Sequence, residues 1–507
     1  MRLTRMIVSQ LLRHPFRDIL KDDQRTWKAW QLYMGALHLA RIIERTTDRP
    51  HIGFMLPTSG MAPMSILATW LLGRTSVPIN YLLGESEREY LIKDAEVDTV
   101  ITVRAMIENF GPLPEGVTPI FLEDLKAQAG PIPPLRRAAK RDDDHLAVLL
   151  YTSGTSGRPK GVMLTAGNLM SNIEQAETLV GFRQNQHKLF GVIPQFHSFG
   201  LTVLTLLPLA LGVPVVFTAR FMPRRILELL AKEKPSVLVL IPSMYNALLS
   251  QKSAKREQFE SLRLIVSGGE PLPHAVAEGY RERFGITINE GYGLTETSPA
   301  TNICMPGAYK PGSVGPALDR LETRIIGDQG QVMATGEEGE IRFRGPNVMK
   351  GYYKLPDETA AVFDDDGFFR TGDMGKLDED GFLYITGRIK EMLIVGGENV
   401  FPREIEEVLN AHPSVHASAV IGMQDDVRGE LPLAFVELEE DATFDEKALR
   451  TICRETLAPY KVPRDIRWIR ELPRNPTGKV LRRDLSVDVA CLSKSEAAPA
   501  ANVETDS

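Results

Sequence analysis

Residues 151–161 read YTSGTSGRPKG, and they lie between an apolar segment at 146–150 and a helical pattern at about 165–179. Glycine lets backbone N–H groups approach an anion, and the hydroxyl side chains add further hydrogen-bond donors. Lys160 adds a positive charge at the end of the run. The pattern predicts a loop that binds a polyphosphate. A flexible Gly/Ser linker is the alternative interpretation.

This loop differs from the Walker A motif of P-loop NTPases. A Walker A motif has Gly-Lys followed by Ser or Thr, whereas here Pro159 precedes Lys160 and Gly161 follows it. An ordinary P-loop NTPase is therefore disfavoured.

Short apolar runs alternate with amphipathic helical patterns over the first three hundred residues. Runs of this kind at 52–56, 99–103, 146–150 and 237–241 predict β-sheets covered by helices, an α/β fold. After about residue 310 the chain is rich in glycine and short β-type segments, which indicates a small β-barrel-like subdomain. We expect three regions, which are an N-terminal domain (1–387, with the β subdomain at about 310–387), a small mobile α+β domain (388–487) and a disordered tail (488–507).

Composition restricts the class of protein. The chain has 507 residues, 43% of them hydrophobic, and a net charge of −7, which argues against general nucleic-acid binding. Three scattered cysteines favour a reducing, cytoplasmic compartment. An uncharged run at 189–219 is broken by prolines and Gly212, which favours buried strand, helix and strand over a membrane span.

Residues 1–16 form an amphipathic pattern with Leu3, Met6, Ile7 and Leu11 on one helical face. We expect the first helix of a domain, and the alternative is peripheral contact with the inner face of a membrane. The oligomeric state is not defined by the sequence.

Seven motifs in order, spread over nearly the whole chain, resemble the adenylate-forming (ANL) superfamily. They are TSGTSGRPKG (152–161), PQFHSFG (194–200), SGGEPL (267–272), GYGLTETSP (291–299), TGDMG (371–375), GRIKEMLIVGGENVFPREIE (387–406) and NPTGKVLRR (475–483). This superfamily contains acyl-CoA synthetases, nonribosomal adenylation domains and luciferases. The resemblance is strongest to its fatty acyl-CoA synthetase and acyl–acyl carrier protein synthetase branch.

The resemblance implies ATP and Mg²⁺ and assigns residues to them. The β- and γ-phosphates would be bound by residues of the Gly/Ser/Thr run, namely Thr152, Ser153, Gly154, Thr155 and Lys160. Glu296 would bind the metal, and Thr295 would contact the α-phosphate. The adenine would lie against Gly269, Glu270 and Tyr292, and the ribose hydroxyls would bind Asp373 and Arg388.

Two half-reactions are implied as well. Lys479 would bridge the acyl carboxylate and the α-phosphate during adenylation, and the C-terminal domain would then rotate about a hinge at Lys390. After this rotation, Gly396 and Gly397 would face the tunnel of the incoming thiol.

The substrate is less well defined than the reaction. Amino-acid-activating members usually carry Asp in the motif that here contains His197, so amino-acid activation is disfavoured. His197 would line the acyl and thiol channel, although a core histidine remains the alternative. The resemblance implies a medium- or long-chain fatty acid as the acid and coenzyme A as the acceptor.

Three alternatives remain at this point. The acceptor could be the phosphopantetheine of an acyl carrier protein. The basic residues of the last domain would suit such an acidic protein as well as they suit the phosphates of coenzyme A. The chain could instead be a non-catalytic nucleotide-binding protein, or a luciferase-like oxygenase.

Overall fold

The computed structural model describes residues 1–128, 136–152, 158–425, 428–474 and 480–486. The chain divides into two compact units. Unit 1 contains residues 1–272, 276–371 and 376–384, and unit 2 contains residues 273–275, 372–375 and the chain from 385 onward.

The strands follow one another along the whole described chain. The first eight are β1 (Asp18–Lys21), β2 (Thr26–Lys28), β3 (His51–Met55), β4 (Thr75–Pro78), β5 (Thr99–Thr102), β6 (Thr118–Phe121), β7 (Leu146–Thr152) and β8 (Lys160–Thr165). The next eight are β9 (Leu189–Gly191), β10 (Val215–Phe217), β11 (Val237–Leu240), β12 (Leu264–Ser267), β13 (Asn289–Gly293), β14 (Ala300–Ile303), β15 (Glu322–Ile326) and β16 (Gly339–Arg344). The last eight are β17 (Gly351–Tyr352), β18 (Phe369–Leu377), β19 (Leu383–Arg388), β20 (Leu393–Val395), β21 (Glu398–Val400), β22 (Val415–Asp425), β23 (Gly429–Leu438) and β24 (Asp465–Trp468).

The α-helices lie between these strands. The first eight are α1 (Arg2–Arg13), α2 (Ala29–Thr46), α3 (Met61–Leu71), α4 (Glu85–Asp94), α5 (Arg104–Phe110), α6 (Leu125–Gln128), α7 (Ala166–Val180) and α8 (Ser198–Leu201). The others are α9 (Leu207–Leu211), α10 (Pro223–Glu233), α11 (Pro242–Leu249), α12 (His274–Phe284), α13 (Pro356–Ala361), α14 (Pro402–Asn410) and α15 (Glu446–Thr456). Short 3₁₀ helices include Thr295–Thr297 and Ile389–Glu391, and Thr202–Leu206 is a π-helix.

An eight-stranded sheet in unit 1 has the order β14-β13-β12-β11-β9-β10-β1-β2. Its strands β9, β11, β12 and β13 run parallel to one another. Strands β11 and β12 are fully buried, which explains their continuous apolar sequence. Because parallel strands end at the same edge, the loops after β9, β12 and β13 lie together there.

A seven-stranded sheet has the order β17-β8-β7-β4-β3-β5-β6. The helix expected from about residue 165 is present as α7, whereas strand β8 before it was not predicted. The Gly/Ser/Thr run does not lead directly into a helix, because strand β8 follows it and pairs antiparallel with β7. Helix α7 begins only at Ala166, where Thr165 Oγ1 accepts a hydrogen bond from Asn168 N at 3.1 Å. The described ends of the run, residues 151–152 and 160–161, are therefore strand residues that pair with each other across β7 and β8.

The amphipathic N-terminal segment forms α1, as expected for the first helix of a domain. Leu3, Ile7 and Leu11 are buried, and α1 contacts α2, α7 and α9. This apolar face is therefore not available to a membrane surface. Among the described residues, no helix combines the length and apolar character needed to cross a bilayer. The uncharged run at 189–219 is buried strand, helices and strand, as predicted.

A four-stranded sheet with the order β15-β16-β18-β19 occupies the region of the expected β subdomain. Strands β15 and β16 are antiparallel, and the described residues form no closed barrel there. The prediction of an α/β fold with helix-covered sheets and a small α+β region is confirmed.

Unit 2 is built on the long antiparallel pair β22–β23, and β23 also pairs with β24, which runs parallel to it, and with β20, which runs antiparallel. Helices α14 and α15 cover this sheet through a core that includes Ile405, Leu409, Leu449 and Cys453. Glu406 on α14 is also buried, and Arg482 donates hydrogen bonds of 2.8 and 2.9 Å from Nη2 to its two carboxylate oxygens. A buried carboxylate needs such a partner.

Candidate active site

The described ends of the Gly/Ser/Thr run lie opposite each other across the β7–β8 hairpin. Thr152 and Lys160 form the last paired positions of the two strands, and both are partly buried. Ser153, Gly154 and Thr155 lie outside the described residues. The hairpin places the hydroxyl of Thr152 and the ammonium of Lys160 at the same end of the sheet, as a polyphosphate site requires.

Strand β17 supports this hairpin from its outer edge. Gly351 and Tyr352 pair antiparallel with Met163 and Val162 of β8. Tyr353 N also donates a hydrogen bond of 2.7 Å to Gly161 O. A segment nearly two hundred residues later in the chain thus fixes the start of β8.

Tyr352 lies between two of the predicted site residues. Its hydroxyl donates a hydrogen bond of 2.9 Å to Glu296 Oε1, and the Lys160 ammonium lies 5.1 Å from the centre of its ring. Burial, and then the nearby Glu296 carboxylate, raise the pKa of the Tyr352 phenol above its ordinary value. The phenol therefore stays protonated at neutral pH and donates to Glu296. Lys160 and Glu296 thus both approach one tyrosine, the lysine at its ring and the glutamate at its hydroxyl.

The turn that carries Thr295 and Glu296 is held by several hydrogen bonds. Thr297 Oγ1 accepts from Leu294 N at 3.0 Å, and Met349 N donates to Glu296 O at 2.7 Å. The Thr295 hydroxyl lies 3.2 Å from Ser198 Oγ, at the start of α8, the helix that follows β9. The segments that follow β9 and β13 therefore meet at the carboxyl edge of the eight-stranded sheet.

The residues predicted to bind adenine lie at the same edge. Gly269 follows β12 with φ +87°, a backbone conformation that favours glycine, and the partly buried Glu270 comes next. The ring of Tyr292, at the end of β13, lies 6.1 Å from that of Phe343. A Cβ at Gly293 would meet Pro299 O at 1.9 Å, so glycine is required for this close turn.

His197 immediately precedes α8, and its Nδ1 accepts a long hydrogen bond of 3.4 Å from Phe199 N. The neighbouring Phe196 is buried and packs edge-on against Tyr81 at 4.9 Å. The π-helix Thr202–Leu206 follows α8, and such irregular helices are frequent at functional sites. The imidazole of His197 is only partly buried, which distinguishes it from a fully enclosed core histidine.

Asp373 and Arg388 both belong to unit 2 and lie on the neighbouring strands β18 and β19. Arg388 Nε is 2.9 Å from Asp373 Oδ1, and the aspartate side chain is only 5% exposed. Its carboxylate has oxygen acceptors of the kind that hydroxyl groups of a sugar require.

The expected hinge and tunnel residues also belong to unit 2. Lys390 is exposed in the 3₁₀ helix Ile389–Glu391. Gly396 and Gly397 have φ values of +61° and +90° and form the turn of the β20–β21 hairpin, a geometry that favours glycine at both positions. Lys479 lies outside the described residues.

The residues present fit a magnesium ion that is bound together with a nucleotide. Within the described part of the chain, no three His, Cys, Asp or Glu side chains are grouped as a metal site. Mg²⁺ in nucleotide sites commonly takes one or two carboxylates, with phosphates and water completing its shell. Glu296 would supply the carboxylate ligand, and the phosphates of the nucleotide would supply the remaining negative charge.

Comparison with known proteins identifies the class to which this fold and these motifs belong. Residues 8–353 match the family of AMP-binding enzymes, and residues 404–479 match the AMP-binding enzyme C-terminal domain. The chain belongs to the AMP-binding enzyme family.

Its relatives within that family use different acids. A long-chain-fatty-acid–CoA ligase of Bacillus subtilis is 34% identical and covers 93% of this chain and 89% of its own length. A sulfoacetate–CoA ligase of Cupriavidus necator is 35% identical, with 86% of each chain covered. The ATP-bound structure of MatB from Rhodopseudomonas palustris superimposes with a TM-score of 0.86 at 31% identity, covering 94% of this chain and 97% of that one. The B. subtilis o-succinylbenzoate coenzyme A synthetase, with ATP and magnesium, gives 0.84 at 29% identity, covering 95% and 98%.

Two contributors to the candidate site were missed by the sequence analysis. Tyr352 and Glu358, the partner of Lys160, lie in a stretch that was not singled out. The two consecutive tyrosines after Gly351 were the one sequence feature that could have drawn attention to this stretch. No nearby motif connects them with Lys160 or Glu296.

Proposed function

We propose that this protein activates a medium- or long-chain fatty acid as its acyl-adenylate and transfers the acyl group to the thiol of coenzyme A. The coarser class, an adenylate-forming acid–CoA ligase, is supported by the family match and by relatives that are CoA ligases for several acids. The fatty acid is favoured by the B. subtilis relative, which covers most of both chains. The observation that carries the proposal is the grouping of Lys160 and Glu296 about Tyr352.

In the first half-reaction, a carboxylate oxygen attacks the α-phosphorus of ATP, and pyrophosphate leaves. The difficulty is repulsion between two anions, so the protein must supply positive charge and oriented donors. Thr152 and Lys160, with Ser153, Gly154 and Thr155, would hold the β- and γ-phosphates. Thr295 would donate to the α-phosphate, and Mg²⁺ bound at Glu296 would supply further positive charge.

Nucleotide position would depend on a second group of residues. Gly269, Glu270 and Tyr292 would contact the adenine, and Asp373 with Arg388 would bind the ribose hydroxyls. Lys479 would neutralise the carboxylate and α-phosphate as they approach. Reorientation of a C-terminal domain (388–487) relative to an N-terminal domain (1–387) about Lys390 would then give the thiol access past Gly396 and Gly397.

In the second half-reaction, the thiol sulfur attacks the acyl carbon, and AMP leaves as the new thioester forms. The alternative acceptor is the pantetheine of a carrier protein. Exposed arginines in the last domain would suit the acidic surface of such a carrier. Three basic residues of this domain are already paired within the protein, namely Lys461 with Glu404, Arg467 with Asp465 and Arg474 with Glu437. This pairing reduces the charge available to an acidic carrier and favours coenzyme A.

The decisive experiment measures acid-dependent pyrophosphate release across fatty acids of increasing length, with sulfoacetate, ferulate and succinylbenzoate included. Thioester formation is then measured with coenzyme A and, separately, with holo-acyl carrier protein. We expect the highest kcat/KM with a medium- or long-chain fatty acid and product on coenzyme A. Thioester on the carrier protein alone would establish the alternative acceptor. Absence of release with every acid, despite ATP binding, would establish a non-catalytic nucleotide-binding protein.

The Lys479→Ala variant separates the two half-reactions. We expect it to lose adenylation and to retain thioester formation from supplied acyl-adenylate. Equal loss of both activities would contradict the assignment of Lys479 to the first step alone.

A further inference from the structure

Lys160 is already paired with an anion of the protein itself. Its ammonium forms an ion pair with Glu358, near the start of α13. The lysine side chain is 22% exposed and that of Glu358 is 43% exposed, so the ion pair is partly shielded from solvent. The cation predicted to meet a polyphosphate thus has an anionic partner within the protein.

The fold holds Glu358 in this position through its neighbours. Tyr352 N donates a hydrogen bond of 2.9 Å to Thr359 Oγ1, and that hydroxyl donates to Leu355 O at 2.8 Å. Thr359 directly follows Glu358, and Tyr352 pairs with strand β8, which begins at Lys160. Helix α13 is therefore attached through β17 to the strand that carries Lys160, and the ion pair joins two linked elements.

We propose that Glu358 is an intramolecular counter-anion of Lys160, which the β- and γ-phosphates of ATP must displace on binding. The inference rests on the proposed function, in which Lys160 binds those phosphates. A carboxylate competes for the same donors as a phosphate oxygen, because both are hard anionic acceptors of hydrogen bonds from ammonium groups. Two anions cannot approach Lys160 together without mutual repulsion, so occupation by Glu358 lowers the apparent affinity for ATP.

The expected size of the effect follows from the exposure of the pair. Partly exposed ion pairs are weak, and apparent affinity falls by the fraction of molecules that are competent to bind. We therefore expect removal of the Glu358 charge to tighten ATP binding about two- to fivefold. AMP lacks the β- and γ-phosphates, so its affinity should not change.

The test compares Glu358→Gln with the full-length wild-type protein by calorimetric titration. The probes are α,β-methylene-ATP, which resists cleavage at the bond in question, and AMP. Asp357→Asn is the matched control, since it removes the same charge from the preceding, exposed residue of α13. We expect tighter binding of the ATP analogue to Glu358→Gln only, with the affinity for AMP equal in all three proteins. In steady-state assays the KM for ATP should fall while the KM for the acid stays constant.

A double-mutant cycle tests whether the effect acts through Lys160. In a Lys160→Ala background, Glu358→Gln should no longer tighten binding of the analogue. Equal tightening with and without Lys160, or equal tightening in Asp357→Asn, would overturn the proposal and indicate a general effect of net charge. Unchanged affinity in Glu358→Gln would also overturn it and leave the proposed function intact. Failure of the wild type to bind either nucleotide would instead contradict the proposed function.

Discussion

Arg388 donates from Nε to Asp373 Oδ1 across 2.9 Å, and the two residues lie on neighbouring strands, β18 and β19. The aspartate side chain is 5% exposed, whereas that of the arginine is 41% exposed. The arginine therefore balances a buried negative charge while part of it remains accessible. The two residues expected to bind the ribose are thus direct partners.

Asp373→Asn should weaken use of ATP without unfolding the protein. The amide keeps the shape of the carboxylate but loses its charge and one acceptor, so hydrogen bonds from ribose hydroxyls and from Arg388 are weakened. Hydrogen bonds to charged groups contribute about 1.5–3 kcal/mol, so we expect kcat/KM for ATP to fall by about 10- to 100-fold. The KM for the acid should stay near the wild-type value. Asp365→Asn, at an exposed position, is the control and should behave as wild type.

Tyr352→Phe should raise the magnesium concentration required for pyrophosphate release. The substitution removes the hydroxyl that donates to Glu296 and keeps the ring beneath Lys160. Residues that orient a metal ligand typically contribute about 10- to 100-fold to metal affinity or activity, and we expect an effect of about tenfold.

The control for this variant is Tyr353→Phe, in which the removed hydroxyl donates to Glu96 at 3.0 Å instead. It should leave the magnesium dependence unchanged. The same magnesium titration curve for Tyr352→Phe and wild type would show that the tyrosine does not position Glu296.

Arg482→Met should destabilise unit 2. Arg482 holds the buried carboxylate of Glu406 through Nη2, and Val420 N donates to the same carboxylate at 2.8 Å. Removing the arginine leaves a buried charge without its main partner, which typically costs about 3–5 kcal/mol. Native-state hydrogen exchange of the β22 amides would measure the loss in opening free energy. Arg483→Met, at a 64% exposed side chain, should change it by less than about 0.5 kcal/mol. Equal effects of both substitutions would refute the role given to this pair.

Cys304 and Cys453 should resist alkylation in the native protein at pH 8. Both thiols are fully buried, and burial raises the pKa of Cys453 to about 11 and also raises that of Cys304. A raised pKa keeps a thiol in its unreactive neutral form as the pH increases. At pH 8 only about a thousandth of Cys453 would be thiolate, against roughly a quarter of an ordinary cysteine.

Mass spectrometry after iodoacetamide treatment checks this expectation in a Cys491→Ser variant, which leaves two cysteines. Denatured protein should label at both positions and serves as the control. Rapid labelling of Cys453 in the native state at pH 8 would contradict the prediction.

Much of the secondary structure was readable from local patterns. The segment at about 165–179 was predicted as a helix and forms α7 over Ala166–Val180, because its apolar residues recur with helical spacing. Strand β8 was missed, since its six residues are stabilised by pairing with β7 and β17 rather than by their own periodicity. The burial of the amphipathic face of α1 depends in the same way on contacts with α2, α7 and α9.

The candidate site shows the same division. One short run that combines hydroxyls, glycines and a lysine predicts an anion site, because anion binding depends on residue type and close spacing. The contacts of Lys160 with Tyr352 and Glu358 come from the pairing of β17 with β8, elements far apart along the chain. Residue types and their spacing can be read directly from the sequence. Which charges face each other follows from sheet order and register, which arise only when distant segments pack and pair.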